Sequence, residues 1–303
     1  GLAVWDQPGY DTHGLPIENK VEKELKLKSK ADIEKLGVKE FVKRCRDFAT
    51  KYIDIMNQQF EDLGGGMDWD SPYLTLNNDY IEGAWATFKT AYEKGLLFKG
   101  NYSVHVCSHC ATALAYNEIE YEKVTDPSIY VKFQVAGKED EYLLIWTTTP
   151  WTIPSNMGVM AKPDAEYVKV KVNDEILIVA KDLLETLLSK FNIKDYKVIG
   201  SFKGKQLEGL EYIHPLSDLL PFHKKLKNVH RVVLSYQFVS LEEGTGLVHT
   251  APGHGKEDYE VGLKNNLPAI NPLRLDGTFD EDSGKYSGMY AKDADKTIIE
   301  DLK

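Results

Sequence analysis

Imidazole, hydroxyl and carboxylate groups crowd into residues 243–258, which read E-G-T-G-L-V-H-T-A-P-G-H-G-K-E-D. His249, Thr250, His254, Glu257 and Asp258 can donate, accept or hold protons there. Gly244, Gly246, Gly253, Gly255 and Pro252 fold the backbone tightly, because glycine opens conformations closed to other residues and proline fixes φ. Leu247 and Val248 mark a strand end, and Glu257 to Leu263 read as a helix start. A loop from strand to helix leaves backbone N–H groups free and lets polar side chains converge, the usual setting of a site. The plainer alternative is a structural Gly/Pro turn with two incidental histidines.

A second cluster, Leu143 to Asn156, reads L-L-I-W-T-T-T-P-W-T-I-P-S-N. An apolar strand delivers Thr147, Thr148 and Thr149, and a Pro-Trp turn leads to Thr152. Threonines often merely suit strand geometry. Three in succession before Pro and Trp present hydroxyls and amides around a small pocket walled by Trp146 and Trp151. Near the start, Pro8, Gly9, Gly14 and Pro16 turn the chain sharply around Asp11 and His13, after a possible short strand at 2–5. That acid and imidazole suit an ammonium group and a polar ligand at the mouth of an α/β sheet, unless Asp11 only bonds nearby amides. Cys107 and Cys110 make a C-x-x-C knuckle, half of a tetrahedral zinc site. No second C-x-x-C exists in the 303 residues. His105 or His109 could complete a set; half of a split zinc ribbon explains the pattern best, and no thioredoxin-like βαβ pattern supports a redox role.

The elements that must hold these groups fall into two textures. From Asn19 the chain is helical: Phe41, Val42, Cys45, Phe48, Tyr52, Ile53, Met56, Phe60 and Leu63 recur at helical spacing, and Gly64 follows as a stop. Cys45 then reads as an inert core thiol. A second helix carries Ile81, Trp85, Phe88 and Tyr92 to a stop at Gly95, its aromatics read as core. After Asp126-Pro127 short strands take over, at Ile129–Val135, Tyr142–Trp146, Tyr167–Val172, Glu175–Ala180, around 197–202 and 231–239. Lys181 to Lys190 reads as one helix with Leu183, Leu184, Leu187 and Leu188 inward. The expected architecture is an α/β Rossmann-type segment at 1–126 and an α+β, β-barrel-like domain at 127–303 with a closed or nearly closed sheet.

Composition narrows the classes. A net charge of -10 gives no general attraction for nucleic acid, so DNA is excluded as a partner and any RNA contact must be local. No apolar run approaches the roughly 18 residues of a membrane span, and no signal peptide opens the chain. Three cysteines do not make a disulfide framework, which points to the cytoplasm.

The T-T-T-P-W-T and G-T-G-L-V-H-T-A-P-G-H-G-K-E-D stretches, preceded by P-G-Y-D-T-H-G-L-P-I-E, closely resemble those of the isoleucyl-tRNA synthetases, class I enzymes. The resemblance runs from Trp5 to the C-terminus. Valyl enzymes typically have lysine at His249 and leucyl enzymes methionine, and both usually follow with P-A-H-D. Leucyl enzymes usually lack His13. Tyr10 stands where the family usually has tryptophan, and Gly64-Gly65-Gly66 replaces a bulkier segment. The resemblance implies that 1–126 is part of the synthetic core and base of the connective insertion, and 127–303 the inserted editing domain. Half of such a core would expose a sheet edge and apolar surface.

The family's H-I-G-H and K-M-S-K-S motifs, which serve ATP, are not among these residues, so the chain alone is not expected to aminoacylate. The whole enzyme, implied to be a monomer, would use ATP, Mg and isoleucine. The chain's own partner would be the 3′ end of tRNA(Ile) carrying valine. By resemblance Asp258 grips the substrate's α-ammonium, His249 lines the valine pocket, and Thr147, Thr148, Thr149 and Thr152 hold the ester and terminal adenosine. Trp146 walls the pocket, with Gly246 and His254 beside it and Asp11 and His13 binding substrate in the synthetic core. Cys107 and Cys110 would be two zinc ligands, the second cysteine pair lying elsewhere. A pocket selecting isoleucine over valine gains only one methylene, about 1–3 kcal/mol, a limit for which these enzymes are the standard illustration, so a second sieve is needed. No G-x-S-x-G elbow or active-site cysteine offers a covalent nucleophile. Two rivals remain: a metallohydrolase using His249, His254 and Asp258, and a non-catalytic tRNA-binding module.

Overall fold

The computed structural model describes residues 1–303 and divides into two compact units, 1–101 and 102–303. The division falls before the change of texture at Asp126, so the C-x-x-C knuckle belongs to the second unit.

In the first unit, β1 (Gly9–Tyr10) pairs in parallel with β2 (Tyr73–Leu74). Five helices accompany them: α1 (Leu15–Leu25), α2 (Lys30–Leu36), α3 (Val38–Thr50), α4 (Ile53–Asp62) and α5 (Asn78–Glu93). The strand expected at 2–5 does not form; the nearest pairing begins at Gly9. The continuous helix expected over 41–63 is two, parted at Lys51 and Tyr52. The core is small: Val21, Ile33 and Phe41, with Leu25, Leu27, Cys45 and Phe48 packed against them. Cys45 is accordingly half-buried, and burial raises its thiol pKa, Glu18 and Glu22 adding to the effect. The aromatics of α5 are not core: Trp85 is 69% exposed and Tyr92 70%. Their periodicity does mark an amphipathic face, but nothing in this unit covers it.

The second unit opens with a hairpin, β3 (Val106–Cys107) against β4 (Thr112–Ala113), whose turn holds the knuckle. The main sheet follows: β5 (Ile129–Val135), β6 (Glu141–Thr147), β8 (Glu166–Val172), β9 (Glu175–Ala180), β10 (Lys197–Lys203) and β11 (Tyr212–Ile213), in the order β10-β8-β9-β6-β5-β11. A three-stranded sheet places β7 (Gly158–Ala161) between β12 (Arg231–Leu234) and β13 (Leu247–Thr250). Helices α6 (Lys181–Lys190), α7 (Lys256–Lys264) and α8 (Ala291–Asp301) complete the unit. In β5, Val131, Phe133 and Val135 alternate inward, as a half-buried strand requires. In α6, Leu183, Leu184, Leu187 and Leu188 are buried, as their spacing predicts. Strand β7 is buried throughout and separates two cores, Val159 and Ala161 facing one and Met160 the other.

The sheets do not close into a barrel. A single bridge, Glu211 to Arg231, joins them, because β11 offers only two residues for pairing. Edge strand β10 carries a register shift between Val198 and Gly200, and lysines at both ends. Bulges and charges of this kind keep a strand an edge. The two sheets instead pack with β13 against β6, which brings together the ends of the two strands that carry the polar clusters.

Candidate functional site

Strand β6 delivers Trp146 and Thr147, and a 3-10 turn over Pro150–Ser155 returns the chain so that Thr152 is buried beside them. Strand β13 delivers His249, and the loop 251–255 leads to α7, whose first turn carries Asp258. These segments line a cleft of about 450 Å³ containing all four threonines, both tryptophans, Gly246, His249, His254 and Asp258. Asp11 and His13 lie in the first unit, brought together by Thr75, whose hydroxyl is 2.8 Å from His13 Nδ1 and 3.4 Å from Asp11 Oδ1.

One hydrogen-bond network fixes the back of the cleft. Asn156 Nδ2 donates to the Gly158 carbonyl at 2.8 Å and to His249 Nδ1 at 2.8 Å, while Asn156 Oδ1 accepts from the Tyr212 hydroxyl at 2.5 Å. His249 Nδ1 is therefore an acceptor, so the ring proton sits on Nε2 and is donated to Thr152 Oγ1 at 2.9 Å. Thr152 gives its own proton to the Thr149 carbonyl at 2.8 Å, which leaves its oxygen to accept from the Thr149 hydroxyl at 3.3 Å. Thr149 in turn accepts from Thr147 at 3.2 Å. Thr148 is exposed in the cleft, and its hydroxyl has no protein partner.

Burial drives the electrostatics. It pushes His249 down to about 3, with the nearby His254 adding to the effect, and His254 itself down to about 4. Both rings are neutral at pH 7. His254 Nε2 meets the Ser155 hydroxyl at 2.9 Å, and its ring stands edge-on to Trp151 at 5.0 Å. Asp258 moves the other way: burial raises its carboxyl to about 6, although its Oδ2 accepts the Ala251 N–H at 2.9 Å. A carboxylate held this way, without a cationic partner, is primed for a ligand's ammonium. Trp146 buries its indole N–H without a partner, its ring lying against Gly244. Gly246, at φ 76, leaves no room for a side chain: a Cβ there would lie 2.3 Å from Ala180 Cβ. Its carbonyl accepts the Tyr167 hydroxyl at 2.5 Å.

Sequence reasoning missed the supports behind this cleft. Asn156 ends the threonine stretch with nothing local in the sequence to set it apart. Tyr212 and three histidines gave no periodic signal. His214 and His223 stack at 3.7 Å and bond the carbonyls of Ile153 and Pro154 from behind, while His223 meets His230 at 3.0 Å. Asp295 of α8 accepts the Trp151 N–H at 2.7 Å, holding the turn at its other end.

Neither metal arrangement assembles. No group of three or more His, Cys, Asp or Glu is arranged to hold a metal ion, the His249, His254 and Asp258 set included, and His249 has both ring nitrogens engaged. At the knuckle, the Cys110 N–H points to Cys107 Sγ at 3.3 Å.

A family model described as tRNA synthetases class I (I, L, M and V) matches residues 1–243. The isoleucine--tRNA ligase of Sulfolobus acidocaldarius is 52% identical over 305 residues, covering all of this chain and 29% of that protein. That of Pyrococcus furiosus is 55% identical over 314 residues, with the same coverage of 100% and 29%. The chain thus spans under a third of the length of the curated relatives it matches. Among solved structures, the crystal structure of GlLeuRS-CP1 is similar at a TM-score of 0.45 and 15% identity, covering 57% of this chain and 94% of that one.

Proposed function

This chain belongs to the class I tRNA synthetases of the isoleucine, leucine, methionine and valine group, and from that premise we propose that its second unit is an editing domain that hydrolyses valine from tRNA(Ile). Over its full length the chain is similar to isoleucine--tRNA ligases. In the whole protein, isoleucine would be attached to tRNA(Ile) with ATP and Mg, a monomer in the cytoplasm, and valine attached in error would be removed in this cleft.

The observation that carries the reading is the pairing, across one cleft, of an unneutralised Asp258 with a locked His249–threonine network. Asp258 would hold the α-ammonium of the aminoacyl ester. The neutral His249 would shape the side-chain pocket, where rigid donors and acceptors on one wall leave no room for adjustment to a larger residue. The threonines, with Thr148 free to bond a ligand, would position the ester and the ribose of the terminal adenosine. Water adds to the ester carbonyl carbon, and the bond to the ribose oxygen breaks, releasing valine and uncharged tRNA. The buried histidines have too little proton affinity to serve as bases at neutral pH, so positioning and fixed dipoles supply the rate. Cys107 and Cys110 would be half of a zinc site whose remaining ligands lie outside these residues.

The test is deacylation of valyl- and isoleucyl-tRNA(Ile) by the chain and by Asp258→Ala. Rapid loss of valine alone, abolished by the substitution, is expected. RNA binding without hydrolysis of either ester would favour a non-catalytic binding module instead.

A further inference from the structure

A second cavity, of about 420 Å³, adjoins the cleft, and both cavities are lined by His254 and Gly255. Its remaining walls include Tyr102, Tyr116, Lys256 and Glu257. Tyr102 is 60% exposed and Tyr116 76%, a degree of exposure that two large rings facing one cavity do not need for packing. The segment is tied to the cleft loop, since the Ser103 hydroxyl donates to the His254 carbonyl at 3.0 Å and Tyr102 stands edge-on to Tyr259 at 6.2 Å. Tyr102 and Tyr116 stand close enough to Lys256 to raise the pKa of its ammonium, Tyr102 first. Aromatic faces, one cation and one carboxylate around an open cavity are what a single nucleotide of a flexible strand uses.

We propose that this groove binds the nucleotide that precedes the terminal adenosine of the tRNA, its base against the tyrosines, its phosphate at Lys256 and its exocyclic amine at Glu257. The inference rests on the editing reading of the cleft. In a chain of net charge -10 the phosphate contact must be local, and Lys256, next to the shared Gly255, supplies it. Glu257 makes the groove selective. A carboxylate accepts from the N4 amine of cytidine but faces a carbonyl oxygen in uridine, so cytidine is preferred.

The groove is tested with two valyl esters, one on adenosine alone and one on an RNA minihelix ending in C-C-A, and with a second minihelix ending in C-U-A. Tyr116→Ala and Lys256→Gln should each raise KM for the C-C-A minihelix on the order of tenfold without changing kcat. Neither should change hydrolysis of valyl-adenosine. Glu257→Gln should erase the preference for C-C-A over C-U-A. Equal effects on minihelix and valyl-adenosine, or none on the minihelix, would overturn the groove. If wild-type chain hydrolyses no ester, the editing reading falls on its own, and anisotropy of the uncharged C-C-A minihelix decides the groove: weakening on the order of tenfold in both variants supports it, and unchanged binding rejects it.

Discussion

Asp258 and His249 face the same cleft with opposite shifts from one cause, burial. For Asp258 the consequence for stability has a definite sign. Its carboxyl rises from 3.8 to about 6 on folding, so the folded chain binds the extra proton between those values. Stability therefore falls as pH rises through that window, and the cost is complete at pH 7. Asp258→Asn keeps an acceptor for the Ala251 N–H and removes the charge. It should stabilise the chain by about 1–3 kcal/mol at pH 7.5 and not at all below pH 4. Urea unfolding at the two pH values checks this, and an equal gain at both would refute it. Function runs the other way: protonation removes the ammonium grip, so kcat/KM for valyl-tRNA should fall about tenfold per pH unit below about 6. No further break belongs near 6.5, because His249 and His254 titrate at about 3 and about 4. Asn156 serves three partners at zero exposure. Asn156→Leu leaves them unsatisfied and should cost about 2–5 kcal/mol by urea unfolding; a loss below about 1 kcal/mol would mean that the network is not what holds the turn.

Two strands set the position of these groups, and Gly246 sets how closely the cleft loop meets β9. Gly246→Ala brings both a strained φ and a contact with Ala180, and should destabilise by about 2–4 kcal/mol. Adding Ala180→Gly should recover the part due to contact and leave the part due to φ, so a double-mutant cycle in denaturant reads the two separately. No recovery would show that strain alone matters. Much at this scale was legible in the sequence. Alternation places β5 and an apolar, β-branched run places β9 to the residue, the leucine spacing places α6, and the Gly/Pro loop reads as strand, turn, helix, as it folds. The convergence of Thr152 with His249 was legible only through the family resemblance, since the two are far apart in sequence and no local pattern links them. The expected barrel does not form because strand count says nothing about edge length, and β11 is too short to close a sheet. The histidines behind the turn escaped because carbonyls presented by an irregular turn need donors at positions set by tertiary structure, not by periodicity.

At the scale of the molecule, the two units have unequal means of staying folded. Hydrophobic stabilisation grows with the apolar area removed from water, while the entropy lost on folding grows with every residue ordered. The first unit orders 101 residues around a cluster of three buried side chains and leaves Trp85, Phe88, Tyr92 and Phe98 exposed. The second has two extensive cores on either side of β7. Unfolding should therefore occur in two steps, with residues 1–101 melting first. Trp5, Trp69 and Trp85 belong to that unit, and Trp146 and Trp151 to the other. Trp146→Phe with Trp151→Phe confines indole fluorescence to the first unit and should report only the early step. Far-ultraviolet circular dichroism should report both. The wild-type cleft lies wholly in the second unit, so deacylation of valyl-tRNA should persist in denaturant beyond the first step and vanish with the second. Coincident transitions by all three probes would mean that the units fold as one, and that the first contributes stability its own core does not explain.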